Sequence, residues 1–240
     1  MKKQIRIFIL TVLIILPSAL KSQVLITILL GDKLNTDKIE FGLVGGWNHA
    51  NIYTIDDASA LNSLDIGFYF HFLLKNSSYF STGVLVKSSV GASGLPVYSM
   101  DDPDFDAVFK DGSLTKKIPV FYVPLLYHQR FNNRWYIEAG PQLGLIHQCV
   151  DIFEAEKLGG DLKFTLSVKD QYKHIDAGLL AGAGYKFRKQ VKSMAVGINY
   201  YYGLVDVSSD PAQEIRNSAL YFYIKIPIGV GKEKEVILDI

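Results

Sequence analysis

The sequence predicts an all-β fold, an eight-stranded antiparallel up-and-down transmembrane β-barrel with short periplasmic turns and long extracellular loops. Three observations predict it. Eight segments, each about the ten residues a tilted membrane strand needs, alternate apolar residues with small, polar or charged ones. The connections between them alternate short and long, as the two rims of an outer-membrane barrel require. The chain opens on an export signal, and no later stretch is long and apolar enough to cross a bilayer as a helix.

Composition sets the outer bounds. The 240 residues allow one sizeable domain or two small ones. Lys and Arg number 25 against 24 Asp and Glu, so the basic excess that nucleic-acid binding needs is missing. With 14 Tyr, 14 Phe and 20 Gly, the chain favours pleated strands with close approaches. Cys149 is the single cysteine, so stability must come from strand closure and packing rather than disulfides.

At the N-terminus, Lys2, Lys3 and Arg6 precede the apolar run Ile7 to Leu16, and Pro17-Ser18-Ala19 follows. This is the layout of a secretory signal peptide over 1–22, cut between Ser22 and Gln23. No cysteine follows to carry a lipid anchor. The alternative is a permanent membrane helix continued by Val24 to Leu30, but Pro17, Lys21 and Gln23 interrupt it. Residues 23–38 read as a periplasmic segment, 39–230 as the barrel and 231–240 as a charged tail.

The strands follow in order. In Glu40 to Asn48, Phe41, Leu43 and Trp47 oppose Glu40, Gly42, Gly46 and Asn48. In Ser63 to Leu74, Leu64, Ile66, Phe68, Phe70 and Phe72 oppose Asp65, Gly67, Tyr69 and His71. In Tyr79 to Ser89, Phe80, Val84 and Val86 oppose Ser81, Gly83 and Lys87. Ile118 to Arg130 is apolar on both faces, so its register is ambiguous, and Pro119 and Pro124 cannot donate to a ladder. Trp135 to Gln148 is the clearest, with Trp135, Ile137, Ala139, Leu143 and Leu145 against Tyr136, Glu138, Gly140, Gln142 and Gly144. Ile175 to Phe187, Met194 to Leu204 and Ala219 to Ile228 repeat the pattern. The small and charged residues form the inward face, because a narrow lumen holds little else.

Tight turns fall at Lys75 to Ser78, Phe131 to Arg134 and Arg188 to Lys192. Long loops fall at Asn48 to Asn62, Val90 to Lys117, Cys149 to Lys173 and Val205 to Asn217. On the outward faces, Phe41, Phe72, Phe80, Trp135, Tyr185 and Phe187 gather at the short-turn ends, and Trp47, Tyr200 and Tyr202 at the opposite ends. Two such belts are the aromatic girdles of a membrane barrel.

These segments resemble a known family. Ile39-Glu40-Phe41-Gly42-Leu43-Val44-Gly45-Gly46-Trp47-Asn48 is similar to the opening strand of the PorT-like outer-membrane β-barrel family of Gram-negative bacteria. Ile137 to Gly144, Asp176 to Tyr185 and the Pro-containing Val120 to Leu126 resemble its later strands. The resemblance covers Val24 to Ile228 and rests on Gly and aromatic patterns. It implies an eight-stranded barrel in the outer membrane. The family is named for a member linked to protein secretion, and most members have no assigned role. Such barrels often end on an aromatic residue, whereas this chain continues from Gly231 to Ile240.

Candidate sites are few. Glu40, Asp65, Lys87, Glu138, Asp176, Lys186 and Lys225 fall on the inward register and are expected to form a charge network that plugs the lumen. His147, Cys149 and Asp151 sit at alternate positions on one expected face and include metal-ligand types, but apart from His174 across the loop no second cluster completes a site. Asp102, Asp104 and Asp106 have the start of a calcium-loop spacing, but Ala107 and Ser113 stand where that loop needs Gly and Glu. His49, His147 and Ser208 are catalytic only by residue type, and no nucleophile motif is present. No catalytic residue, metal ligand or cofactor is therefore assigned. The expected partners are outer-membrane lipid and an unidentified envelope protein. The leading reading is a non-enzymatic barrel that anchors surface loops or docks envelope or secretion components. The alternatives are a lipid-modifying enzyme, which needs a catalytic pair at the rim, and a soluble secreted barrel, which needs an inward apolar face.

Overall fold

A computed structural model describes residues 34–56, 58–132, 134–157, 160–190 and 192–228. The expected export signal, residues 23–33 and the 231–240 tail lie outside the described residues. The strands are β1 (Ile39–Ile52), β2 (Ser59–Lys75), β3 (Ser78–Lys87), β4 (Ser89–Leu95), β5 (Ser113–Phe131), β6 (Trp135–Ile146), β7 (Val150–Lys157), β8 (Gly160–Ser167), β9 (Ile175–Lys186), β10 (Ala195–Gly203) and β11 (Asn217–Pro227). One short helix, α1 (Pro103–Phe109), lies between β4 and β5.

Eight of these strands close into a ring. In order they are β1, β2, β3, β5, β6, β9, β10 and β11, each antiparallel to the next. Pairing of β1 with β11, from Gly42↔Pro227 to Ile52↔Asn217, completes the circle. Closure leaves the barrel without an unpaired edge, which a lipid environment demands because it offers no water to bond free backbone groups.

The faces are the reverse of a soluble barrel's. Leu64, Ile137, Leu179, Ile198 and Ile224 are exposed on the outside, while Tyr69, Tyr122, Tyr136, Tyr201 and Tyr221 are buried inside. This removes the reading of a soluble barrel with an apolar interior. Inward glycines make room for the tyrosines. A Cβ on Gly184 would overlap the Tyr136 ring, and one on Gly144 would overlap the rings and methyls of Tyr122 and Val120. Small residue and large ring alternate between neighbouring strands, and the narrow interior fills without strain.

The ambiguous fourth segment resolves in β5. Its even positions point inward, with Leu114, Ile118, Val120, Tyr122, Leu126, His128 and Arg130 all buried. Pro124 interrupts the ladder on one side, where β3–β5 pairing passes from Thr82↔Leu125 to Leu85↔Tyr122. The ring tolerates the missing N–H at this point because closure holds both flanks.

Lys87 departs from expectation. It is exposed, not in the lumen. A bulge shifts the β2–β3 register between Ile66 and Gly67, so Gly67 opposes Leu85 while Ile66 opposes Lys87. Val86 is the inserted residue. One extra residue reverses every later side chain, since the side-chain period is two. Phe41 also departs from the expected girdle. It lies on the outward register but is only 1% exposed, covered in part by Phe70 and Phe68 at ring-centroid distances of 4.8 and 6.4 Å.

The short-turn rim is built as expected. Asn76 and Asn132 take left-handed backbone angles, φ 51° and 47°, in the β2–β3 and β5–β6 turns. Asn tolerates that region better than most side chains. The opposite rim is more ordered than long loops would be. A second sheet stands on it, formed by the start of β2, β4, the first residues of β5, β7 and β8. Phe105 and Phe109 of α1 pack on Phe153 and Phe164 of this sheet.

The faces give opposite outcomes for two nearby substitutions. Phe68→Arg places a charge on the lipid face near mid-strand and should lower refolding stability in bilayers by about 2–4 kcal/mol. Lys87→Ala should stay within about 0.5 kcal/mol, as for an ordinary surface site. Urea titrations of barrel folded into lipid vesicles measure both, and a cost of several kcal/mol for Lys87→Ala would return that side chain to the lumen.

Candidate functional site

The lumen is filled in layers. Nearest the short-turn rim, Lys186 Nζ lies 2.7 Å from Glu40 Oε2, and the Tyr69 hydroxyl donates to Glu40 Oε1 at 2.8 Å. Arg130, fully buried, donates to the carbonyls of Lys189 and Gln190 and to the Tyr79 hydroxyl. It ties the β9–β10 turn down over the opening.

The middle layer is centred on Glu138 of β6, which is 2% exposed. Lys225 Nζ reaches its two oxygens at 2.9 and 3.3 Å. Asn199 Nδ2 donates at 2.8 Å, the Tyr223 hydroxyl at 2.9 Å, and His128 Nδ1 lies 3.2 Å away. The partners come from β5, β10 and β11, so Glu138 meets Lys225 across the lumen rather than along the wall. Together they occupy the lone pairs of a buried carboxylate, which water supplies elsewhere. Beside them the His71 and His128 rings meet at a tilt, with centroids 4.6 Å apart.

The third layer is centred on Asp176. It accepts from Tyr122 at 2.7 Å, Tyr201 at 2.8 Å and Asn217 at 3.1 Å. No cation is among these contacts; two phenols and an amide hold the carboxyl. Asp65 has a long contact of 3.5 Å from Asn48. A cavity of about 60 Å³ remains between Asp65, Tyr69, Glu138, Gln142, Asn199 and Tyr221. That volume holds a few waters and is no channel. Six of the seven expected lumen charges thus point inward, Glu40 with Lys186, Glu138 with Lys225, and Asp176 and Asp65 each with neutral partners, and Lys87 stands outside the barrel.

Above the ring, the second sheet carries a further polar cluster. Asp151 Oδ2 takes Lys116 Nζ at 2.9 Å and the Tyr98 hydroxyl at 3.0 Å. Tyr172, 4% exposed, lies nearby on the β8–β9 connection. Burial, with Asp151, Cys149 and Tyr98 adding to it, holds the Tyr172 phenol above the ordinary tyrosine range. Burial, with Asp151 second, pushes the Cys149 thiol up to about 12, so it stays protonated and unreactive near neutral pH. His147 is exposed and stacks on Phe121 at 4.4 Å, whereas Cys149 and Asp151 are buried. The three do not share a face. Asp102 caps α1 through the Asp104 and Phe105 amides. Asp106 binds the Met100 amide and the Ser99 hydroxyl. These acidic residues hold the loop's own backbone.

Arg130, His128, Lys116 and the lumen tyrosines were not singled out from sequence. Arg130 and His128 sit on the segment whose register was ambiguous, and Lys116 lies just before it, in a stretch read as loop. Tyr69, Tyr136, Tyr221 and Tyr223 were legible as inward residues, but which carboxylate each phenol reaches depends on strand stagger.

A family model described as an outer membrane protein beta-barrel domain matches residues 35–209. The chain belongs to that family. Its place is the outer membrane, and its apolar exterior faces lipid. No curated protein sequence matches the chain. Among solved structures it is similar to Ail, the attachment invasion locus protein of Yersinia pestis, at 8% identity and a TM-score of 0.43, covering 80% of this chain and 100% of that one. It is also similar to Neisserial surface protein A at 12% identity and TM-score 0.36, over 78% of this chain and 96% of that one. OprG from Pseudomonas aeruginosa follows at 10% identity and TM-score 0.35, over 79% and 94%. At these scores the likenesses lend this family member no function.

The middle layer makes a testable contrast. Glu138→Ala leaves Lys225 buried without its partner and should cost about 3–5 kcal/mol, less where lumen water reaches the amine. Glu138→Leu combined with Lys225→Met removes both charges and should cost clearly less than Glu138→Ala alone. Equal losses, read from unfolding in lipid vesicles, would show that the pair is not coupled.

Proposed function

We propose that this barrel is a non-enzymatic, PorT-like member of its family that displays ordered extracellular structure and docks an envelope partner. In this reading residues 1–22 are a cleaved export signal, and the long-loop rim faces outward. The filled lumen carries the reading. Glu40–Lys186 and Glu138–Lys225 sit across the narrow bore with Arg130 over one end, an arrangement suited to a rigid pedestal and not to transport.

The second sheet supports docking. Among the described residues β8 pairs only with β7, so its other edge presents open backbone donors and acceptors. Its residues are almost all exposed, with Leu162 and Phe164 among them. An open edge of this kind accepts a strand from another chain, and the flanking side chains select it.

Two outcomes follow. Cysteines placed at Asp106 and Glu156 in a Cys149→Ser background should react with an impermeant maleimide on intact cells, and one at Asn76 should not. The reverse pattern would invert the barrel. Purified protein in planar bilayers should show no stable large conductance, and a photo-crosslinker at Thr165 should trap a discrete partner in living cells. Large steady conductance without a crosslink would replace docking with a pore.

A further inference from the structure

Two adjoining cavities open at the long-loop mouth. One, of about 400 Å³, is lined by Ile55, Leu95, Pro96, Tyr98, Leu114 and Lys116 together with Gln171 and Gln213. The other, of about 430 Å³, shares Lys116, Gln171 and Gln213 and adds Tyr172, Ser208, Ser209, Asp210 and Ile215. Each falls within the size of ordinary small-molecule sites.

The walls are fixed in advance. Asp206 accepts from the Ser208 and Ile215 amides and from Lys173, and the Ser209 amide donates to the Gln171 carbonyl. Asp151 holds Lys116 and Tyr98 from behind. Two buried groups are left over. Among the described residues the Tyr172 hydroxyl, on the wall of the second cavity, and Asp151 Oδ1, behind Lys116, have no hydrogen-bond partner, though both are shut off from bulk water. A buried polar atom without a partner is costly, and one that belongs to a preformed cavity marks where a ligand atom satisfies it.

Charge narrows the ligand. An anion entering here meets Asp210 at the rim and Asp151 behind the floor, and a cation meets Lys116. Lys116 is already neutralised by Asp151 but keeps further N–H donors. The amides of Gln171 and Gln213 and the hydroxyls of Ser208 and Ser209 offer donors and acceptors together. Opposite them stands an apolar wall with the Tyr98 ring. A polar, uncharged ring with an apolar face and several hydroxyls matches both walls.

We propose that the long-loop mouth binds a neutral saccharide unit, with Tyr172 and Lys116 bonding its hydroxyls and Tyr98 flanking its ring. The site is independent of whether β8 docks a partner.

The test uses the full chain purified in a zwitterionic detergent, which carries no sugar headgroup to compete. Arrayed neutral oligosaccharides are compared with sulfated and carboxylated ones. Retention on neutral glycans is expected, about five- to tenfold weaker for Tyr172→Phe, the loss of one hydrogen bond. That variant removes a hydroxyl with no partner among the described residues, so its thermal unfolding should match the parent. Gln213→Ala, at an exposed rim position, supplies a second variant expected to weaken binding. Competition by the methyl glycoside of a retained sugar identifies a diffusible ligand. Capture only from glycolipid vesicles identifies a sugar carried by lipid. Either supports the site. Retention of no neutral glycan, retention of anionic glycans alone, or full binding by both variants overturns it.

Discussion

In hydrocarbon a backbone N–H or C=O has no solvent to turn to, and this chain meets that constraint by closing its sheet on itself. The pairing of β1 with β11 is the step that removes the last edge. Everything else follows from it. Closure with eight strands fixes a narrow bore, and the bore fixes which side chains fit inside. Large apolar groups are displaced to the outside, where lipid receives them. The period-two pattern is therefore a consequence of closure in a membrane, with polarity reversed relative to a soluble barrel.

The narrow interior then has to be filled without strain and without orphaned charge. Size is handled by setting tyrosine rings over glycines on the neighbouring strand, as Tyr136 lies over Gly184. Charge is handled by surrounding each carboxylate with donors from several strands. Glu138 draws on β5, β10 and β11, and Asp176 on β5, β10 and β11 as well. Such contacts tie opposite walls together. They also explain why phenols recur on the inward face: a tyrosine fills volume and brings a hydroxyl to a carboxylate at the same time.

Much of the fold was legible because closure imposes a simple code. Seven of the eight ring strands follow from alternation, and the two rims from loop lengths. The failures have local causes. Lys87 was misplaced because the Val86 bulge reverses the alternation, and a bulge leaves no mark on composition. The β5 register was hidden because its outward and inward residues are both apolar near the mouth, where the interior becomes a hydrophobic core around Ile118, Val120 and Ile146. The β7–β8 hairpin was read as loop because its charged residues mask the alternation of Leu162, Phe164 and Leu166. That Glu138 and Lys225 meet across the lumen was legible from two inward charges in a narrow bore, whereas their further partners Asn199, His128 and Tyr223 depend on strand stagger, which the sequence does not spell out.

The two ends of the barrel therefore answer to different demands. At the short-turn end, Arg130 binds turn carbonyls and Lys186 binds Glu40, contacts that serve the fold. At the other end the same chain spends residues on a second sheet, a capped helix and an Asp206-braced loop that the membrane does not require. There the buried polar groups are incompletely matched, at Tyr172 and Asp151. Stability alone favours matching, and the carboxylate of Glu138, with donors on both oxygens, shows how far it can be carried in this fold. Lumen amides such as Asn199 and Asn217 also keep an unmatched oxygen, but the Tyr172 hydroxyl combines that state with a place on the wall of an open cavity, and the combination marks it for recognition rather than folding. Specialisation in this barrel is thus expected to lie in the long-loop half, with the lumen serving as the rigid base on which that half is held.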